Sequence, residues 1–200
     1  LTNIVGAPLE EGLKSGSLSA NWMWPCKNKG QDAALYSAVK ACADYAKELG
    51  INIPTGKDSL SMTQKYANGQ SVQAPGTVII SAAGEVSDVR KVVSPVVQQL
   101  TSSSLWYVNL WDGKLALGGS AFAQTLGKVG TEIPQPADAK RFAKTFNALQ
   151  ECVREQLLLA SHDVSAGGLI TALMEMTFAN TFGGIDIYTN GFAEVGEDDL

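Results

Sequence analysis

Ile53-Pro54-Thr55-Gly56-Lys57-Asp58-Ser59-Leu60-Ser61-Met62 is the stretch on which the reading of the chain turns. Before it, Gln31 to Leu49 places Leu35, Val39, Cys42 or Ala43, Ala46 and Leu49 at helical spacing, and Gly50 stops the helix. After it, Leu60 to Tyr66 alternates as a strand does. The stretch between is therefore predicted to be a turn joining short β segments, with Pro54 fixing φ and Gly56 free to take positive φ. Lys57, Asp58 and two serines beside a bare glycine amide suit an anion or a metal-bound phosphate. The amide and hydroxyls donate, the ammonium neutralises charge, and the carboxylate can hold Mg²⁺ or position an amine. The same residues also make an ordinary polar turn, with Lys57 and Asp58 in water.

Working outward, Leu18 to Trp24 is predicted as a strand ended by Pro25, and Asn68-Gly69 marks a hairpin. Gly76 to Val86 is rich in Val, Ile and Ala, the pattern of a strand buried on both faces. Ser87-Asp88 caps a short helix through Val93, and Leu105 to Trp111 reads as a further strand. Gly118-Gly119-Ser120 opens an apolar helical segment through Leu126; free amides for a phosphate and close backbone packing both account for the glycines. Ala137 to Gln156 is a second long helix with Phe142, Phe146, Leu149 and Val153 on one face. Leu157 to Ser161 is expected as a buried strand, Ile170 to Ala179 as a third helix, and Ile185 to Tyr188 as a strand after Gly183-Gly184. Helices alternating with strands predict an α/β (α+β) fold, a sheet layered with helices, mixed because of the hairpin.

The 200 residues are 45% hydrophobic and 18% charged, a globular composition that suits one domain or one domain plus part of another. A net charge of −5 argues against a general nucleic-acid binder. No apolar run approaches the roughly 20 residues of a membrane helix, and no basic, apolar leader opens the chain. Cys26, Cys42 and Cys152 match neither a disulfide framework nor a CxxC zinc site, which points to a reducing, cytoplasmic setting. Both ends read as cut, as in an excerpt of a longer protein.

His162-Asp163-Val164-Ser165-Ala166-Gly167-Gly168 forms a strand-to-helix junction, where sites gather in open α/β sheets. Asp163 can ligate Mg²⁺, Ser165 can bond a phosphate oxygen, and Gly167-Gly168 would leave amides bare. Asp163 as the N-cap of the following helix and His162 as a satisfied structural histidine are the rival readings. Cys26 with His162 as a nucleophilic pair has no local support, and Trp22, Trp24, Trp106 and Trp111 suit a core or interface better than ring stacking.

Several blocks together resemble the large, single-chain phosphoribosylformylglycinamidine synthases, the FGAR amidotransferases of purine biosynthesis. They are Leu18-Ser19-Ala20-Asn21-Trp22-Met23-Trp24, Pro54 through Met62, Leu117-Gly118-Gly119-Ser120-Ala121, His162 through Leu169, and Glu175-Met176. The His-Asp-x-Ser-x-Gly-Gly block recurs across the wider aminoimidazole ribonucleotide synthetase-like proteins. The resemblance implies an ATP-dependent C–N ligase that turns FGAR, glutamine and ATP into FGAM, glutamate, ADP and phosphate, with ATP activating the FGAR amide oxygen. Ammonia would come from a separate glutaminase domain of the parent chain, so the fragment alone is expected to be inactive. It further implies that residues 1–16 end an N-terminal-type synthetase piece. Residues 17–200 would then be most of a synthetase C-terminal-type domain, incomplete at its C-terminus.

By the same resemblance, Asn3 and Asp163 correspond to Mg²⁺ ligands at an auxiliary nucleotide site, and Ser165 to a nucleotide contact there. A further glutamate ligand would precede Leu1. Ser59 aligns with a substrate contact, Gly56 with a nucleotide contact, and Lys57 and Asp58 would face FGAR or phosphate beside them. Lys57 stands where smaller family members carry a metal-binding asparagine, so its ammonium would replace the ion. Ala20 stands where they carry an acidic nucleotide contact, and Ala166 replaces an acidic residue frequent in the His162 motif. ATP or ADP with Mg²⁺ are the implied cofactors, and FGAR, ATP and the rest of the parent chain the implied partners. A second class of function also fits: a structural and regulatory module of that enzyme holding a Mg-nucleotide that does not turn over.

Overall fold

Ser17–Met23 forms strand β1, with Asn52–Ser59 (β2) parallel on one side and Thr77–Ala83 (β5) antiparallel on the other, in the order β2-β1-β5. The computed structural model describes residues 1–98, 103–112 and 116–187. Its contacts divide into two units, Leu9–Ser87, and Leu1–Pro8 together with the chain from Asp88 onward.

In the Leu9–Ser87 unit, helix α1 (Gln31–Leu49) makes the crossover that a parallel strand pair requires. Its end is a Schellman cap: Gly50 takes φ 70°, and the Gly50 and Ile51 amides donate to the Lys47 and Ala46 carbonyls. The helix bounds match the sequence expectation, but its packing does not. Only Ala46 and Leu49 are buried, while Tyr36 is 70% exposed and Val39 is exposed too. The core of this unit is Leu9, Leu13, Leu18, Ala20, Ala46, Leu49 and Ile51.

The opening stretch is not a turn. Residues 52–59 are one continuous strand paired to β1, from Ser19↔Thr55 through Met23↔Ser59. Between Ser17↔Asn52 and Ser19↔Thr55 the register slips, since β1 advances two residues while β2 advances three. The extra residue falls beside Pro54, which has no N–H for a ladder and is tolerated at a bulge on an edge strand. Gly56 does not adopt positive φ. It is glycine because a Cβ there would lie 2.1 Å from the Ala20 carbonyl oxygen.

Two further expectations in this unit change. The run from Gly76 to Val86 yields β5, but Val78, Ile79 and Ile80 are exposed, and β5 is an edge strand of its sheet, paired with β1. Of Leu60 to Tyr66 only Thr63–Lys65 (β3) is strand; it pairs with Ser71–Gln73 (β4) across the Asn68-Gly69 turn, where Gly69 has φ 82°. That hairpin is a separate sheet, so the mixed character of the main sheet comes from β5 rather than from the hairpin.

The second unit holds a 3-10 turn at Thr2–Ile4, another at Val89–Lys91, and a short antiparallel pair, Trp111–Asp112 (β6) with Gln135–Pro136 (β7). Its helices are Ala121–Thr125 (α2), Ala139–Arg154 (α3) and Gly168–Glu175 (α4). Asp138 caps α3 by accepting from the Arg141 amide at 3.0 Å, and the helix buries Phe142, Phe146 and Val153, the two rings stacked at 6.2 Å. Leu105 to Leu110 and Leu157 to Ser161 are not strands, and Leu157 and Leu159 are exposed. An extended segment becomes a strand only where a neighbour takes up its amides and carbonyls, and at Ser161 the amide finds a single carbonyl, that of Ser94 at 3.1 Å. Residues 185–187 are likewise not strand, and Tyr188 lies outside the described residues.

The break expected between residues 16 and 17 lies inside the Leu9–Ser87 unit. Leu9 bridges Val86, and the Glu10 amide donates to the Glu85 carbonyl, which ties residues 9–10 to the end of β5.

Candidate functional site

The second unit brings Asn3 and the loop from His162 to Gly168 into one framework. The Gly6 carbonyl accepts from the Val93 amide at 2.8 Å, and the Ser94 carbonyl accepts from Ser161. Gly6 packs so closely that a Cβ there would sit 3.1 Å from the Ser161 hydroxyl oxygen. From below, Gln150 of α3 donates its side-chain amide to the Val5 and Ala7 carbonyls at 2.7 and 2.9 Å. Gln150 has 0% exposure. Sequence reading missed it, because a glutamine one step past Leu149 looks like the solvent edge of the helix. The apolar pattern carried no signal that a buried amide would grip the N-terminal segment.

Asp163 follows directly. Its carboxylate lies near Leu1, close enough to act electrostatically on that residue's backbone nitrogen. Asn3 is exposed in the 3-10 turn that begins one residue after Leu1. Asp163 is not the cap of α4; Gly167 occupies the N-cap position, without a side-chain cap bond. The loop is closed by the Gly168 amide donating to the Ser165 carbonyl at 2.9 Å and by the Thr171 hydroxyl donating to the Gly167 carbonyl at 2.7 Å. Of the two glycine amides expected to be bare, that of Gly168 is thus spent inside the loop. Gly167 is fixed by crowding, since a Cβ would fall 2.6 Å from the Thr171 side chain, and Gly168 by φ 76°. Ser165 is exposed beside them.

His162 is a satisfied histidine. Its side chain is 18% exposed; Nδ1 lies 2.7 Å from the Asp163 backbone carbonyl oxygen and 3.7 Å from Asp163 Oδ1, and Nε2 lies 3.2 Å from Glu175 Oε2.

The donor set bears on Mg²⁺. Among the described residues no group of three or more His, Cys, Asp and Glu can hold an ion alone. One carboxylate and one amide oxygen are hard ligands, and too few for a protein cage. They suit an ion that keeps waters and shares its coordination with phosphate oxygens. The residues therefore fit Mg²⁺ arriving with a nucleotide.

The Gly56–Ser59 segment belongs to the other unit. As strand residues, Lys57 and Ser59 share one face, and Gly56 and Asp58 share the other. All four are exposed, and the Lys57 ammonium donates to the Asp58 carbonyl at 2.9 Å. The strand does not gather Lys57, Asp58 and Ser59 round one anion as a turn would. The glycines before α2 are structural. The Gly118, Gly119 and Ser120 amides donate to the Glu132, Val129 and Leu117 carbonyls, and Ser120 caps the helix at Ala123. Cys26, Cys42 and Cys152 are free thiols, with burial pushing that of Cys42 up. Among the described residues no helix is long and apolar enough to cross a membrane.

Known proteins match along the chain. Residues 1–85 match the family model described as the FGAR-AT PurM_N-like domain, and residues 103–195 that of the AIR synthase related protein, C-terminal domain. The chain is 39% identical over 195 residues to a probable phosphoribosylformylglycinamidine synthase, chloroplastic/mitochondrial, of Arabidopsis thaliana, covering 96% of the chain. It is 36% identical over 190 residues, 90% of the chain, to a probable phosphoribosylformylglycinamidine synthase of Caenorhabditis elegans. It spans 14% of the length of each relative. Two domain types in order, and similarity over nine-tenths or more of the chain to these long proteins, carry the same conclusion: the chain belongs to the phosphoribosylformylglycinamidine synthase family.

Proposed function

We propose that this chain is part of a synthase that converts FGAR, ATP and glutamine-derived ammonia to FGAM, ADP and phosphate, and that its second unit holds a Mg-nucleotide. The observation that carries the second half is the joining of residues 1–8 to the Ser161–Asp163 segment, through Gly6, Val93, Ser94 and Gln150. It puts Asn3 and Asp163, 160 positions apart in sequence, in one unit. Asp163 and Asn3 supply hard oxygen ligands, and the exposed Ser165 hydroxyl donates to a phosphate oxygen. When bound, Mg²⁺ neutralises phosphate charge that these side chains alone would leave uncompensated.

In the other unit, Lys57 and Ser59, on one face of β2, serve as contacts for the FGAR phosphate or amide. Gly56 is kept for its approach to Ala20, and Asp58 on the opposite face orients Lys57 through its carbonyl. Ammonia comes from a glutaminase domain elsewhere in the parent chain, and the free thiols suit a reducing, cytoplasmic setting.

FGAR-dependent ADP release by the full-length protein, with ammonium salt replacing glutamine, tests the reading. Wild type turns over, and Ser59→Ala loses most of that turnover. Absence of FGAR-dependent ADP release in wild type would sink the activity, and an unimpaired Ser59→Ala would remove the substrate role of β2.

A further inference from the structure

The Asp163 carboxylate has to be aimed if it is to hold an ion. The loop that carries it is tied by backbone bonds at Ser161 and Gly168, on either side of Asp163. Among the described residues the His162 side chain reaches the Asp163 peptide, through Nδ1 at 2.7 Å from the Asp163 carbonyl oxygen. A carbonyl can only accept, so Nδ1 carries a proton and the ring is fixed in orientation at that end. The other end is fixed by Glu175, in the last turn of α4, whose Oε2 lies 3.2 Å from Nε2. That separation is within hydrogen-bonding distance. The same Nδ1 stands 3.7 Å from Asp163 Oδ1.

We infer that Glu175 is a positioning residue for the metal ligand Asp163, acting through the His162 ring. The inference rests on the reading of Asp163 as a ligand of nucleotide-bound Mg²⁺. The chain of contacts runs from the far end of α4 to the loop before its first residue, so one side chain closes the loop and helix into a ring. His162 is largely shielded from solvent, and a buried ring with an unmet nitrogen is costly, so the Glu175 contact sets its rotation. Groups in the shell behind metal ligands act in this way, and their loss commonly weakens metal affinity by about 10–100-fold.

The test uses the full-length protein and ADP, titrated with Mg²⁺ and separately with chelator present. The binding event lost in Asp163→Asn identifies this site. Glu175→Ala is expected to weaken Mg²⁺-dependent ADP affinity at that site by about tenfold, with chelated-ADP affinity unchanged, and Glu175→Gln, whose amide can still bond the ring, to recover most of it. Glu175→Asp, a milder change that withdraws the carboxylate by one methylene, is expected to fall between. Thermal stability lowered in Glu175→Ala or Glu175→Asp with Mg-ADP affinity at the wild-type value would overturn the inference, as would equal losses with and without Mg²⁺. A wild type with no Asp163-dependent ADP binding would overturn the nucleotide reading itself, and the inference with it.

Discussion

Gln156 and Gly50 do the same job with different residues. Each follows a long helix in the left-handed region, at φ 56° and 70°, and each sits in a Schellman pattern; after α3 the Gln156 and Leu157 amides donate to Val153 and Cys152. The Cβ of Gln156 pays for that conformation, so Gln156→Gly should raise stability by about 0.5–1 kcal/mol, read as a shifted denaturation midpoint; an unchanged or lower midpoint would contradict the assignment. Gly56→Ala should do the opposite. A methyl 2.1 Å from the Ala20 carbonyl cannot be absorbed by a rotamer change. The β1–β2 ladder should lose about 1–3 kcal/mol, visible as faster amide exchange in both strands. Asp88 illustrates charge at this scale. Side-chain and backbone hydrogen bonds from Arg90 hold its carboxyl down to about 2. Its pKa is depressed on folding, so its contribution is present above the ordinary carboxyl range near 4 and is lost as pH falls through about 2. Carboxyl NMR shifts titrating near 4 would refute that bond set.

At the scale of elements, what could be read from sequence follows from where the information lies. The bounds of α1 were legible because its signals are local: apolar residues at helical spacing and a glycine stop. Asn68-Gly69 was legible for the same reason. Strand β2 was not, because Pro54, Gly56, Asp58 and Ser59 are turn residues by composition, and their strand comes from pairing with β1, 36 residues earlier in the register from Thr55 onward. Leu157 to Ser161 failed the other way, since apolarity suggested a strand for which the described residues supply no neighbouring ladder. That Asn3 and Asp163 fall in one unit was suggested only by family resemblance, and Gln150, which holds residues 5 and 7 there, had no sequence signal at all. Gln150→Leu should strand two carbonyls and cost about 1–3 kcal/mol. It should also weaken Mg²⁺-dependent nucleotide binding, whereas Phe142→Leu on the same helix should lower stability and leave that binding intact. Equal nucleotide affinity in wild type and Gln150→Leu would show that the clamp does not serve the site.

At the scale of the whole chain, the apolar surface is large for so small a protein. Tyr36, Val39, Val78, Ile79 and Ile80 are exposed in one unit, and Leu157, Leu159, Ile170 and Phe178 in the other, while β2 and β5 are both sheet edges. Unpaired edges and apolar patches of this kind promote association. The isolated 200-residue chain should therefore self-associate at micromolar concentration in sedimentation velocity; a monodisperse monomer with one sharp melting transition would contradict that expectation.

The central claim is that residues 1–8 and the His162–Gly168 loop form one Mg-nucleotide site. Its most direct measurement is Mg²⁺-dependent ADP binding to the full-length protein, compared among wild type, Asn3→Ala and Asp163→Asn. The account predicts one Mg²⁺-dependent binding event that is lost in Asp163→Asn and weakened in Asn3→Ala, with the same weak metal-free ADP affinity in all three when Mg²⁺ is chelated. Identical binding in the three proteins would contradict it.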